Sequence, residues 1–326
     1  MQAAVYQRYG APDVLRLADV PKPEPKAGQI RVKVAVSAAT RADTMMRRGE
    51  PFMARFALGF PRPKVNITGT GFAGEVEVVG DGVTAFRVGD AVFGETAMGF
   101  AANAEFVCVD ANAVVMHKPD NIDFVQAAPL TDGALTAYNF VLELGQLKAG
   151  QRLLVNGASG SLGSAAVQIG HIVGAHVTAV CSAANHDWVR ALGAHECIDY
   201  QQRDFTDPAS AQPYDVIFDS VGLSSFGACR PVLGERGVYL SPVLGLRLLW
   251  DMLRTRGANA RAVFAATGLK APAELKPMLE QILVWMAAGQ FKTVVDREFT
   301  LAQAAQAHAY IETGRKKGAV VFSGVA

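Results

Sequence analysis

The chain has 326 residues, half of them hydrophobic, and its 31 Lys and Arg against 30 Asp and Glu leave a formal charge of +1. That length points to two domains, each able to bury a sizeable core, and the charge balance lacks the basic excess of a dedicated nucleic-acid binder. The most apolar stretch, 239–253, is broken by Arg247 and Asp251 and falls short of the roughly 18 residues of a membrane span; the opening MQAAVYQRYG lacks the charged start and apolar run of a signal peptide, so a soluble, cytoplasmic protein is expected.

Taken in order, 3–6 and 15–20 read as short strands around a turn at Gly10-Ala11-Pro12-Asp13, and Pro21, Pro23 and Pro25 impose an extended connector. From 29 to 36, Ile30, Val32, Val34 and Val36 alternate with Arg31 and Lys33, the period of a half-buried strand. A loop and short helix span 39–49. Pro51 to Pro63 shows no clear period and is expected to be irregular. Strands are expected at 75–79, 88–94 and 104–109, with a hairpin turn at Gly80-Asp81-Gly82. Many short strands with dense Gly and Pro turns predict an all-β, partly open barrel over the first 120 residues.

After 120 the pattern changes to alternating helix and strand. Helices are expected at 124–128, 132–144, 186–192 and 225–233, and strands at 152–155, 176–180, 197–200, 214–219, 237–241 and 259–264. This alternation predicts a doubly wound parallel sheet. An amphipathic helix is expected over 274–288, and another over 301–313 with Thr300 as its N-cap and Gly314 beyond its end. The last strand, 320–323, follows two helices and so is expected to return to the first domain. Cys108, Cys181, Cys197 and Cys229 include no C-x-x-C pair; they fit neither zinc spacing nor a disulfide framework and read as small, mostly buried thiols.

The stretch 152–174, RLLVNGASGSLGSAAVQIGHIVG, organises the second half. A buried strand meets a glycine turn and then a helix with Leu162, Ala165, Ala166, Ile169 and Val173 on one face. The dinucleotide fingerprint G-x-G-x-x-G fits with Ala158 in the first glycine's place and Gly160 and Gly163 as the second and third. A small residue at 158 then permits the turn, Gly160 admits a pyrophosphate, and Gly163 lets helix and strand pack closely. Ser159, Ser161 and Leu162 present backbone N–H groups at the helix start, where the dipole favours an anion. The residues after the second strand, Val180-Cys181-Ser182-Ala183-Ala184-Asn185, contain no carboxylate to hold a ribose 2′-hydroxyl. NADP(H) is therefore favoured over NAD(H), with Ser182, Asn185 and Tyr200 as hydroxyl and amide partners for a 2′-phosphate.

Several further segments stand in the same order as in a known family: Leu135-Thr136-Ala137-Tyr138, Val155–Gly163, Leu192-Gly193-Ala194, Ile198-Asp199-Tyr200, Phe218-Asp219-Ser220-Val221-Gly222, Ala307-His308 and Gly314–Gly318. Over its full length the chain resembles the medium-chain dehydrogenase/reductase superfamily, and within it the zinc-independent quinone oxidoreductase branch. The resemblance implies a GroES-like domain from 1–125 and 267–326 and a Rossmann domain from 126–266, with substrate and nicotinamide meeting in the cleft between them. It adds Val221, Gly222, Leu240, Ser241 and Lys317 to the cofactor-binding set, and a homodimer as the assembly.

Zinc-dependent relatives carry a Cys/His/Cys-type set; here Thr40 stands in the first ligand region and Gly69-Thr70-Gly71 where Gly-His-Glu is found, so no metal is expected. The chain also departs from the quinone-reductase pattern. Ala39-Thr40-Arg41-Ala42-Asp43 replaces an Asn-Pro-x-Asp-like segment, Met45 replaces a frequent tyrosine, Gly71 an aspartate, and Asn185 a lysine.

The expected reaction is hydride transfer from NADPH to a small apolar quinone or another activated enone or carbonyl, in which the cofactor does the chemistry and the protein orients it. Thr136 is expected near the nicotinamide, and Thr40 is expected to hydrogen-bond the substrate carbonyl or the nicotinamide ribose. The apolar 243–253 segment reads equally as a substrate-pocket wall and as a subunit contact. Two alternatives stand beside this reading: a 2-enoyl thioester reductase, and a catalytically weak NADPH-binding interaction protein.

Overall fold

The structure, a computed structural model, describes residues 1–64, 66–96, 99–208 and 212–325. The chain forms two compact units, one of Met1–Asp132, Gly268–Leu283 and Lys292–Ala326, the other of Gly133–Thr267 and Val284–Phe291.

The first unit begins with β1 (Gln2–Val5) paired antiparallel to β2 (Arg16–Asp19). Then come β3 (Gln29–Ala39), α1 (Arg41–Arg48), α2 (Ala54–Leu58), β4 (Gly71–Val79), β5 (Ala91–Glu95), β6 (Phe106–Asp110), β7 (Val115–His117) and α3 (Phe124–Ala127). The second unit runs α4 (Gly133–Tyr138), β8 (Arg152–Asn156), α5 (Ser161–Ile172), β9 (His176–Val180), α6 (His186–Ala191), β10 (Glu196–Ile198), β11 (Tyr214–Asp219), α7 (Phe226–Cys229), β12 (Leu233–Leu240), α8 (Leu246–Arg254) and β13 (Arg261–Val263). Helix α9 (Pro272–Ala287) reaches into both units, and β14 (Val295–Phe299), α10 (Ala304–Glu312) and β15 (Ala319–Ser323) complete the first.

Strand β3 is the spine of the first unit. Its alternating Ile30, Val32, Val34 and Val36 are buried, the first three in one core cluster with Phe72, Val107, Phe322 and Tyr6. One edge of β3 pairs with β4 along nearly its whole length, while the other edge pairs with β6 over its first half and with β15 over its last. Register shifts on the β3–β4 ladder lie at Arg31/Val32 and Val34/Val36, and such bulges bend a sheet on itself. Gly74 sits at this bend, where a Cβ would lie 2.0 Å from the Lys33 carbonyl oxygen. The sheet order is β14-β15-β3-β4-β5-β7, so the C-terminal strand returns to the first domain, as its place after two helices predicts.

In the second unit six strands run parallel in the order β10-β9-β8-β11-β12-β13. Their Leu153, Leu154, Val155, Val177, Ile217 and Phe218 are fully buried, as expected of a sheet covered on both faces. Sequence order reverses between β8 and β11, and in doubly wound sheets the ligand lies beyond the carboxyl ends of the strands at that reversal.

Several elements differ from the sequence reading. The 51–63 stretch contains α2: Phe52, Phe56 and Phe60 recur at helical spacing, but the element is one turn long and flanked by Pro and Gly, which hides the period. The helix expected over 132–144 is split into α4 and a π-helical turn at Asn139–Leu144. The helix expected over 225–233 shortens to α7 and a 3₁₀ turn around Pro231, because β12 already begins at Leu233. Strands β7 and β14 were not foreseen; β14, Val295–Phe299, carries three charged residues and is more exposed than a core strand. Thr300 forms a capping box with Gln303, but the turn it opens is 3₁₀ over Leu301–Gln303 before α10 begins.

Candidate functional site

The turn between β8 and α5 is made almost wholly of backbone. Gly157 holds φ +78°, and a Cβ there would stand 2.3 Å from Val221 Cγ2. The tight-turn role expected of Ala158 therefore belongs to Gly157, while Ala158 is buried beneath it. Gly163 packs so closely that a Cβ would lie 2.1 Å from the Gly157 carbonyl oxygen and 2.7 Å from Ala158 Cα, as the fingerprint requires. Gly160 is different. Its φ of −81° and ψ of 178° suit any residue, and a Cβ there would meet nothing nearer than Gly157 O at 3.5 Å.

Gly160 is the N-cap of α5 and no side chain caps the helix. The N–H groups of the first turn, from Ser161, Leu162 and Gly163, have no intrahelical acceptor, and they lie at the positive end of the dipole. Ser159 precedes them in the turn. Helix α4 packs on α5 through Gly133, where a Cβ would reach 2.5 Å from Ser161 Oγ. Thr136, on α4, is partly exposed.

Across the reversal point the 219–224 turn is wound around Asp219, which is fully buried. Its Oδ1 accepts from Asn156 Nδ2 at 2.9 Å, Val221 N at 3.3 Å and Gly222 N at 2.9 Å. Its Oδ2 accepts from Ser224 N at 2.8 Å and the Tyr239 hydroxyl at 2.9 Å. Burial and this carboxylate raise the Tyr239 phenol well above the ordinary tyrosine range. Ser220 Oγ donates to Asn156 O at 2.7 Å, so the two turns are tied together. Gly222, at φ +70°, faces Val243, to whose Cβ an added carbon would come within 2.4 Å. Leu240 and Ser241, buried at the end of β12, complete this rim. Sequence reading used Asp219 as a family marker only; its signal as a hub, an acid ending an apolar strand beside Asn156, is visible once β8 and β11 are neighbours.

Of the residues expected around a 2′-phosphate, Ser182 and Asn185 lie together in the turn after β9. Asn185 Nδ2 donates to Ser182 Oγ at 3.1 Å, and Asn185 Oδ1 accepts from Trp188 Nε1 at 3.2 Å. Tyr200 follows β10, whose Ile198 carbonyl accepts from Cys181 N at 3.1 Å, and its ring is exposed. Lys317 belongs to the first unit, where it is exposed and its N–H donates to Asp296 Oδ2 at 2.9 Å. Burial pushes the Cys181 and Cys229 thiols up to about 12 and about 11, in keeping with inert core cysteines.

The first unit holds a corner of buried acids. Thr40 is the N-cap of α1 and forms a capping box with Asp43: its hydroxyl donates to Asp43 Oδ2 at 2.8 Å and accepts from Asp43 N at 3.1 Å. The single proton of the Thr40 hydroxyl is thus given to Asp43 inside the cap. Asp43 also accepts from Gly69 N at 3.0 Å, and burial pushes its carboxyl up to about 6. Glu95, at the end of β5, is buried with Oε1 lacking a hydrogen-bond partner among the described residues, and burial with the nearby Asp132 pushes it up to about 7. Asp132 is itself raised by burial, while Lys316 draws it back. Gly71 pairs with Glu95 across β4 and β5, and a Cβ at 71 would stand 2.8 Å from Ala128 O. The aspartate of the related pattern therefore has no room in this chain. Sequence reading missed Glu95, whose one signal was a lone carboxyl closing the apolar run Val92-Phe93-Gly94.

The 243–253 segment becomes α8 and the turn before it. Val243, Arg247, Leu248 and Asp251 line a cavity of about 120 Å³ shared with Ser224 and Tyr239. Leu246, Leu249, Trp250 and Leu253 point to solvent. The segment thus has a lining face and an outer apolar face, and Trp250 lies on the outer one.

This arrangement matches known proteins along its whole length. The alcohol dehydrogenase GroES-like domain model matches residues 26–120, and the zinc-binding dehydrogenase model residues 192–322. An NADPH-dependent alkenal/one oxidoreductase of Arabidopsis thaliana is 31% identical over 98% of this chain and 79% of its own length. A chloroplast envelope quinone oxidoreductase homolog from the same organism is 29% identical over 98% of both. The chain belongs to the quinone oxidoreductase branch of the medium-chain dehydrogenase/reductase superfamily. The solved quinone oxidoreductase from Coxiella burnetii superposes with a TM-score of 0.89 at 29% identity over 99% of each chain. The GroES-like and Rossmann domains of this superfamily are thus the first and second units described above.

Proposed function

We propose that this chain is a zinc-independent, NADPH-dependent oxidoreductase that reduces a quinone or another activated enone or carbonyl. The observation that carries the reading is the contrast within the glycine turn. Gly157 and Gly163 are glycines because the protein leaves no room for a Cβ, whereas Gly160 faces open space at an uncapped helix start. A residue that the fold does not require to be glycine, placed there, suits the close approach of a pyrophosphate.

The residues fit such a cofactor. Ser161, Leu162 and Gly163 supply backbone donors for the pyrophosphate, with Ser159 and the bare Gly160 beside them. Val221, Gly222, Leu240 and Ser241 form the rim across the reversal point. Ser182 and Asn185 after β9 and Tyr200 after β10 offer polar groups, with no carboxylate among 181–186, which leaves a 2′-phosphate unrepelled. Reduced nicotinamide supplies the hydride when bound. Thr136, on the helix packed against α5, is the residue assigned to its neighbourhood, and Asp219 holds the 219–224 rim in shape. Glu95 is a carboxyl that keeps a proton near neutral pH.

The zinc named in one family description finds no donor set here. Thr40 is closed in its capping box, Gly69 and Gly71 offer no side chain, and Cys108 lies on β6 with Sγ 3.7 Å from Pro23 O. Among the described residues no group of three or more His, Cys, Asp or Glu is placed to hold a metal ion.

The test is oxidation of NADPH and NADH over a panel of quinones, enones, aldehydes and 2-enoyl thioesters. NADPH consumption with a quinone or enone is expected, unchanged by chelator. Faster use of NADH throughout overturns the cofactor assignment, and turnover confined to thioesters overturns the acceptor class.

A further inference from the structure

Residues 48–64 form an exposed aromatic feature on the first unit. Phe52, Met53, Phe56 and Phe60 are 56%, 71%, 62% and 61% exposed. The three rings contact one another, with centroids 6.3 Å apart for Phe52–Phe56 and Phe52–Phe60 and 6.0 Å apart for Phe56–Phe60. Together they present on the order of 400–500 Å² of apolar surface, the size at which such patches on a soluble protein carry a function.

The feature is held from below. Arg55 donates to Gly49 O at 3.1 Å and Arg48 O at 3.0 Å, and its guanidinium lies 4.7 Å from the Tyr9 ring centroid. The Tyr9 hydroxyl donates to Gly59 O at 2.7 Å. The aromatic tip is therefore a built knuckle, fixed at both ends of α2.

Two properties identify its occupant. First, the tip from 52 to 60 offers Phe, Met, Ala, Leu and Gly, and its one polar side chain, Arg55, is turned inward to backbone carbonyls. A protein partner recognised here would find almost no hydrogen-bonding groups, whereas specific protein interfaces carry about ten hydrogen bonds. Second, the flanks are basic. In a chain of net charge +1, residues 48–64 carry Arg48, Arg55, Arg62 and Lys64 against Glu50 alone, and Arg62 and Lys64 are exposed.

An apolar tip rimmed by cations fits a bilayer interface, where aromatic groups enter the headgroup boundary and Lys and Arg meet anionic lipid. We infer that the 52–60 knuckle docks the chain peripherally on anionic membrane surfaces, with Phe52, Phe56 and Phe60 inserted and Arg62 and Lys64 on the headgroups. No helix among the described residues is long and apolar enough to cross a membrane, so the attachment is reversible and rests on two weak signals acting together. The inference is independent of the reductase reading and needs only the lipid surface.

The test is co-sedimentation of the full chain with phosphatidylcholine vesicles, with and without a phosphatidylglycerol fraction, at low and high salt. The expected result is binding to the anionic vesicles that weakens with salt. Phe56→Ser with Phe60→Ser should lower the partition coefficient roughly tenfold or more, and Arg62→Glu with Lys64→Glu should remove the preference for anionic lipid. Both variants should keep wild-type thermal unfolding and NADPH binding, since neither changes a residue assigned to the cofactor. Failure of the wild-type chain to bind anionic vesicles overturns the inference. So does binding that survives both variants, or a concentration-dependent self-association lost in the same Phe variant, which would assign the knuckle to a second copy of the chain.

Discussion

The glycine turn of the second unit and the acid corner of the first make their chemistry from opposite materials. At 157–163 the functional surface is backbone: steric exclusion fixes Gly157 and Gly163, and open space surrounds Gly160. At the Thr40–Asp43–Glu95 corner it is side chains withdrawn from water, and burial sets their protonation. A backbone site is written in residue types at fixed spacing. A burial-tuned site depends on which strands come together, and no local pattern announces it.

The contrast breaks most visibly at Gly163. Gly163→Ala drives a Cβ into the Gly157 carbonyl, so a loss of about 3 kcal/mol is expected from overpacking against backbone, together with loss of NADPH binding; denaturant unfolding and fluorescence titration measure both. Asp219→Asn comes next. Five donors converge on that carboxylate, and weakening them should cost about 2–3 kcal/mol and lower NADPH affinity by loosening the 219–224 rim. A stable variant with intact affinity would show that the hub is dispensable.

For the acid corner the expected signature is pH dependence. The Glu95 carboxyl titrates near 7 in the folded chain against 4.5 when exposed. The native state therefore holds a proton that the unfolded chain releases, and stability falls as pH rises from about 4.5 through about 7, levelling off beyond the folded pKa. Glu95→Gln should flatten that stretch of the profile and raise stability at pH 8 by about 2 kcal/mol relative to wild type. An unchanged slope in urea unfolding followed from pH 5 to 8 would contradict the assignment. Thr40→Ala should have the smallest effect, about 1 kcal/mol for a lost N-cap. It should change thermal stability more than kcat; a large fall in kcat with stability retained would assign Thr40 to the substrate instead.

Much of the fold was legible in sequence because its signals are local. The alternation of Ile30 to Val36 gave β3, the strand–helix alternation after 120 gave the parallel sheet, and the position of 320–323 after two helices pointed it back to the first domain. What escaped lacked such signals. β14 is a charged strand held by its neighbour β15, and α2 is a single turn hidden between prolines. At the site, the glycines and the missing acid at 181–186 were readable. The true turn residue was not: the fingerprint spacing selects Ala158, and only the backbone φ of 157 and the Val221 contact move the turn to Gly157. The capping box of Thr40 was not legible either, because its partner Asp43, three residues on, declares itself only when a helix starts at 41.

The most direct measurement is the NADPH dissociation constant of Gly160→Ala set beside its melting temperature. The protein itself has room for that methyl group, so the melting point should stay within about 2 °C of wild type. The cofactor has none, so affinity should fall at least about tenfold, equivalent to about 1.4 kcal/mol. Unchanged affinity in a folded variant would contradict the account, because Gly160 would then be a glycine for neither the fold nor the pyrophosphate.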